Sequence, residues 1–253
     1  MYPDRDQIDV HVVVNWQEQF KMLKLRFPVN VKFMRVTNET AYGHLECAAN
    51  GDEVPFQGWV DISGTSRDKE IPYGFSLLND AKYSLDVNVR DIGLTVLRSP
   101  AYAHHIPAEV NPDNLNSFID QGIQRFSYSL LPHRNGWEGA QTVHRMAELN
   151  EKPIALFATF HPDGKLPQMD SYIDVQPANV VVSVIKQAED SDDLIIRAYE
   201  TTKTSTTAMI TLPKLNRTIK ADFAPSEIKT FRVPLSVDKP IVETNMLEWD
   251  IDA

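Results

Sequence analysis

The stretch from Ile71 to Val87, IPYGFSLLNDAKYSLDV, constrains the fold more than any other part of the chain. Tyr73, Phe75, Leu77 and Leu78 form one apolar run, and Tyr83, Leu85 and Val87 alternate with Ser84, Asp86 and Asn88 in a second. Successive side chains of a strand point to opposite faces, so both runs read as strands with a buried side. Asn79-Asp80-Ala81-Lys82 lies between them, and Asn and Asp side chains favour turns by bonding to nearby backbone. The segment therefore predicts a hairpin. Ile92, Leu94 and Val96 repeat the alternation and extend it to a three-stranded antiparallel meander.

The same pattern recurs along the chain. Ile8–Val14 reads as a half-buried strand running into Trp16. Phe20–Phe33 alternates around Pro28, which places that strand at an edge or a strand end. A short strand begins at Tyr42, and Ala49-Asn50-Gly51-Asp52 reads as a turn. Ile106–Asn116 carries two prolines and an Asp-Asn pair and reads as a loop, and Ile123–Leu130 alternates until Pro132. One helix is predicted, about Trp137–Leu149, because Trp137, Ala140, His144 and Ala147 recur at helical spacing. From His161 to Gln176 periodicity is lost. It restarts at Val180, Val182 and Val184 and continues through Leu194–Tyr199, Ala208–Leu212 and Ile228–Val233. The chain is thus predicted to be all-β in two parts, residues 1–175 and 176–253.

Composition narrows the function classes. A net charge of −10 without a basic cluster argues against nucleic acid, which needs concentrated Lys and Arg. No run approaches the roughly 20 apolar residues of a membrane helix, so no membrane partner is expected. MYPDRDQIDVHVV has neither the basic nor the apolar region of a secretory signal, and a single Cys47 excludes an internal disulfide framework. Both features predict a cytoplasmic protein.

Three blocks occur in order: LLNDAKYSLDV, then LTVLRSPAYAHH at Leu94–His105, then RFSYSLLPHRNGW at Arg125–Trp137. Together with Trp59-Val60-Asp61-Ile62-Ser63 upstream, they resemble the carboxy-terminal half of family 38 glycoside hydrolases, the α-mannosidases, of bacterial and cytosolic type. The resemblance covers about Ile8 to Trp249, and its one departure is Ser84, where glycine is commoner. It implies a mutarotase-like supersandwich followed by a smaller β-sandwich. It also implies an upstream catalytic domain as partner and a mannose-containing glycan as ligand, and it leaves a homo-oligomer open. In the family the nucleophile, the acid and the divalent metal, expected to be zinc, belong to that upstream domain. No catalytic residue, metal ligand or cofactor is therefore assigned to this chain.

The resemblance does assign sugar contacts. Arg197 stands where family members carry an arginine that reaches the bound sugar, and a guanidinium can fork onto vicinal hydroxyls. Trp59 matches a region that gives an aromatic to the pocket. The structural alternatives are a charge on an exposed strand for Arg197 and a core side chain for Trp59. His104-His105 is the only close histidine pair, and neighbours on a strand point apart, which disfavours a shared metal. Asp61, Asp80 and Asp86 lie in the matching blocks, and Asn79 and Asp80 read as turn formers. A second functional class is a stand-alone carbohydrate-binding or mutarotase-like sandwich, with His105 and Glu109 as the nearest acid–base candidates. A third is a scaffold without a site of its own.

Overall fold

The computed structural model describes residues 6–102, 105, 107, 109–111, 113 and 115–251. It divides into two compact units, one comprising Met1–Thr40 and Leu45–Lys152, the other Ala41–His44 and Pro153–Ala253. The sequence reading put the division between 175 and 176; in the structure residues 153–172 form no strand, and the first strand after them is Asp174–Gln176.

Among the described residues up to Lys152 there are ten strands: β1 (Ile8–Trp16), β2 (Met22–Pro28), β3 (Val31–Thr40), β4 (Gly43–Glu46, whose first two residues fall to the second unit), β5 (Asn50–Pro55), β6 (Trp59–Ser66), β7 (Pro72–Asn79), β8 (Ser84–Asn88), β9 (Asp91–Arg98) and β10 (Gly122–His133). Helix α1 (Thr142–Asn150) follows them. A six-stranded sheet has the order β1-β10-β7-β6-β3-β4, and a four-stranded sheet the order β2-β9-β8-β5. Between them lie Val60, Ile62 and Leu77 from the first sheet and Leu85, Val87, Ile92 and Leu94 from the second, all buried in one core. Side-chain alternation puts Trp59, Asp61, Ser76 and Leu78 on the opposite face of the six-stranded sheet, where α1 packs against β6 and β7.

Several expectations change here. β7 and β8 do not form a hairpin, because β7 pairs with β6 and β10 while β8 pairs with β9 and β5 in the other sheet. The Asn79–Lys82 break is a turn, with Asn79 Oδ1 accepting the Ala81 and Lys82 N–H groups at 3.1 and 2.6 Å. It carries the chain from one layer of the sandwich to the other, and the hairpin is β8–β9, with Leu85 opposite Leu94. Asn50-Gly51-Asp52 opens β5 at a register irregularity, with Gly51 at φ 88°, so it is not a free turn. β10 continues through Pro132, opposite Phe75. Its pairing with β1 stops at Leu130, so Pro132 lies where the strand has one neighbour and the missing N–H costs no ladder bond. Pro28, as expected, closes an edge strand, β2. α1 begins at Thr142, not Trp137, because Gln141 takes a left-handed conformation.

The second unit contains β11 (Asp174–Gln176), β12 (Val180–Gln187), β13 (Leu194–Glu200), β14 (Thr206–Leu212), β15 (Arg217–Phe223), β16 (Ile228–Val233) and β17 (Val242–Thr244). Sheets of order β11-β14-β15 and β12-β13-β16-β17 enclose a core of Ile196, Ala198, Ile210, Ile219, Phe231 and Val233. β11, β15 and β17 were not read from the sequence. All of these pairings are antiparallel, and the fold is almost wholly β, as predicted.

Candidate functional site

Arg197 lies on β13, opposite Thr230 of β16. Its Nε donates to Thr230 Oγ1 at 3.1 Å and one Nη donates to the Met246 carbonyl at 3.0 Å. Those two bonds fix the plane of a half-buried guanidinium and leave further N–H groups uncommitted. The Met246 carbonyl is itself held by a tight loop. Asn245 Oδ1 accepts the Leu247 and Trp249 N–H groups at 2.9 and 3.1 Å, and the Asn245 N–H donates to the Trp249 carbonyl at 2.9 Å. Buried Glu248 anchors the same loop by accepting from the Glu189 N–H at 3.0 Å and from Lys186 Nζ at 2.7 Å. The loop presents Met246, Leu247 and Trp249 outward. Trp249 was missed in the sequence reading; the available signal was Asn245, whose side chain can close an Asx-type turn ahead of the aromatic.

Trp59 is 1% exposed. Its ring packs on Trp137 at 4.8 Å between centroids, with Leu78 and Leu149 completing the cluster beneath α1. In this structure it is a core side chain with no open face for a ligand. Beside it, Glu39 is 6% exposed and accepts the Gly58 N–H at 2.6 Å. Burial pushes the Glu39 carboxyl up to about 7, against the Gly58 N–H and the nearby Trp59 indole, which favour its charged form.

Ser76, His133 and Asp61 meet in the same covered layer. His133 Nε2 lies 2.6 Å from Asp61 Oδ2 and 3.1 Å from Ser76 Oγ; Ser76 donates to Asp61 Oδ2 at 2.7 Å and shares a 2.9 Å bond with Thr142. Ser63 donates to the other Asp61 oxygen. These residue types suggest a hydrolytic triad, but the geometry refuses it. A triad uses the two imidazole nitrogens separately, one toward the nucleophile and one toward the carboxylate. Here one nitrogen faces both partners, His133 Nδ1 has none, and Ser76 is fully buried. The ring fits because it lies over Gly74, whose missing side chain leaves the space.

The other carboxylates of the matching blocks are also committed. Asp80 Oδ1 accepts the Ser127 N–H at 2.8 Å, and Asp86 pairs with Lys24 and with Arg26 at 2.7 Å. His105 and Glu109 are exposed, and His104 lies outside the described residues. Among the described residues no three His, Cys, Asp or Glu side chains converge as metal ligands. No described helix is long and apolar enough to cross a membrane.

With this geometry in hand, comparison with known proteins is direct. Residues 1–114 match the glycosyl hydrolases family 38 C-terminal domain, and residues 179–251 match the glycosyl hydrolases family 38 C-terminal beta sandwich domain. The chain is 29% identical over 265 residues to alpha-mannosidase G of Dictyostelium discoideum, covering 89% of this chain and 22% of that protein. It is 31% identical over 202 residues to alpha-mannosidase 2C1 of Mus musculus, covering 75% of this chain and 17% of that protein. The chain therefore spans about one fifth of the length of these curated relatives. The crystal structure of a family 38 glycosyl hydrolase protein from Enterococcus faecalis shares the fold, with a TM-score of 0.74 at 18% identity over 92% of this chain and 29% of that one. The two domain matches, in order and containing β1–β9 and β12–β17 respectively, show that the chain belongs to glycosyl hydrolase family 38 and represents its carboxy-terminal portion.

Proposed function

We propose that this chain is the non-catalytic carboxy-terminal part of an α-mannosidase, a hydrolase of terminal α-mannosyl residues, and that it completes the sugar pocket of an upstream catalytic domain. The observation that carries the reading is the ordered pair of family 38 C-terminal matches, together with curated relatives that are α-mannosidases several times longer than the chain. The committed state of Asp61, Asp80 and Asp86 fits a part that lends position and not reacting groups.

Within this reading Arg197 is the sugar contact. Its head group is pre-oriented by Thr230 and Met246, so little side-chain freedom is lost when the remaining N–H groups meet vicinal hydroxyls. Of the two tryptophans considered, Trp249 has the free face that stacking on a sugar needs, and Trp59 supports the layer beneath α1. The divalent metal, zinc in this reading, belongs to the upstream domain, and the complete enzyme is cytoplasmic.

The test is hydrolysis of an aryl α-mannoside in the presence of divalent metal. The complete polypeptide is expected to turn over and this chain alone is not, because loss of a nucleophile or an acid each costs orders of magnitude. Turnover by the chain alone would overturn the reading.

A further inference from the structure

Between α1 and β11 the chain runs through Ile154-Ala155-Leu156-Phe157-Ala158-Thr159-Phe160, and none of these seven residues makes a hydrogen bond to the described residues. Their apolar content is high for solvent-facing chain. Ile154, Leu156, Phe157, Phe160, Leu166, Met169 and Tyr172 are 75–108% exposed. The segment is tethered at both ends. Glu151 N–H donates to the Ala147 carbonyl at 2.7 Å on one side, and on the other Lys214 pairs with Asp170 while Ser171 Oγ donates to the Ile173 carbonyl at 2.7 Å.

This is strand chemistry without a strand's partner. Ile154, Leu156, Ala158 and Phe160 would line one face of an extended chain, with Phe157 on the other. A run of high β-propensity with a free backbone edge, left in water, is an aggregation hazard that proteins normally cover. The two aromatic rings of the run, Phe157 and Phe160, can bury roughly 150–250 Å² each. With Ile154 and Leu156 they supply a large share of the ~800 Å² per partner of a standard interface.

We infer that Ile154–Phe160 is a docking strand that the upstream catalytic half of the same polypeptide covers, by edge pairing or by burial of its apolar face. This rests on the α-mannosidase reading above. The curated relatives hold about four fifths of their length outside the matched region, in one chain with it, so in those proteins a large covering surface is covalently attached. A second copy is the poorer occupant. The segment has no neighbouring strand in this chain, so pairing with its twin would give an isolated two-stranded ribbon, which is marginal in water.

The test is hydrogen exchange on the complete polypeptide, with hydrolysis of an aryl α-mannoside measured on the same sample. Amides 154–160 are expected to exchange at least about 100-fold more slowly than in the free peptide, independently of protein concentration. A photo-crosslinking residue at position 157 is expected to capture peptides from the upstream half. Peptide-like exchange overturns the inference, as does protection that disappears on dilution to monomer, which would assign the strand to a second copy. Crosslinks confined to residues 6–251 overturn it as well. Hydrolysis without protection refutes the docking strand and leaves the enzyme reading standing; protection with upstream crosslinks but no hydrolysis does the reverse. The variant Phe157→Asp/Phe160→Asp should return the segment to fast exchange, and since the wild-type measurement stands alone, its misfolding would not rescue a negative result.

Discussion

His133 Nε2 lies 2.6 Å from Asp61 Oδ2, in a layer where Asp61 also accepts from Ser63 and Ser76, so one buried carboxylate serves three polar groups. In such a network the cost of a deletion is set by the partners left without a bond, and His133, whose Nδ1 already lacks one, would lose its Asp61 contact as well. Asp61→Ala strands three partners at once and is expected to cost about 3–5 kcal/mol, with Asp61→Asn in between. Chemical denaturation of the complete protein measures it, and a loss under 1 kcal/mol would show that the network is incidental.

Glu39 predicts a pH slope. Its carboxyl is raised from an ordinary 4.5 to about 7, chiefly by burial, so between those values the folded protein holds a proton that the unfolded chain has released. Stability should therefore fall as pH rises through that window and level off above it, by about 2–3 kcal/mol in all. Glu39→Gln should remove this component, which melting curves at pH 5 and pH 8 will show.

Glu200 predicts the opposite slope. Burial disfavours its charge, but Thr202 donates to it through N–H and hydroxyl, and the Ser226 N–H and the Asn179 amide add to them, so its pKa is lowered. Its contribution is present above the ordinary 4.5 and is lost as pH falls through the folded value. Glu200→Gln, measured at neutral pH, should cost about 3 kcal/mol and blunt the acid sensitivity of the wild type. An unchanged acid transition would argue against it.

Arg197 and Trp59 should separate in kinetics. In the complete enzyme Arg197→Ala is expected to lower kcat/KM by an amount equivalent to about 1.5–3 kcal/mol with little change in melting. Trp59→Ala should instead destabilise by about 3–5 kcal/mol, because it empties a packed site beneath α1. Unchanged kinetics in a folded Arg197→Ala protein would leave Arg197 as a clamp on the Met246 loop.

The strands with clean alternation were legible in the sequence. Leu85 and Val87 or Ile92 and Leu94 alternate with polar neighbours, and a period of two needs no knowledge of the rest of the chain. The turn at Asn79 was legible for the same local reason, since its side chain bonds to N–H groups two and three residues on. Arg197 could be singled out only through the family resemblance, and its clamp by Met246, 49 residues away, could not be read at all.

Tertiary structure decided which partner each local element meets. Alternation says that a strand has a buried face, but not which sheet it joins, so β7 and β8 looked like a hairpin and became opposite layers of a sandwich. Asp61 and Ser76 alternate with the core residues Val60, Ile62 and Leu77 and so lie on the other face of the sheet, where α1 covers them and encloses Trp59 as core. Ile154–Phe160 has the composition of a buried strand but is exposed, because burial depends on what stands opposite. Side-chain pattern is a property of neighbours in sequence, whereas burial and pairing are properties of neighbours in space.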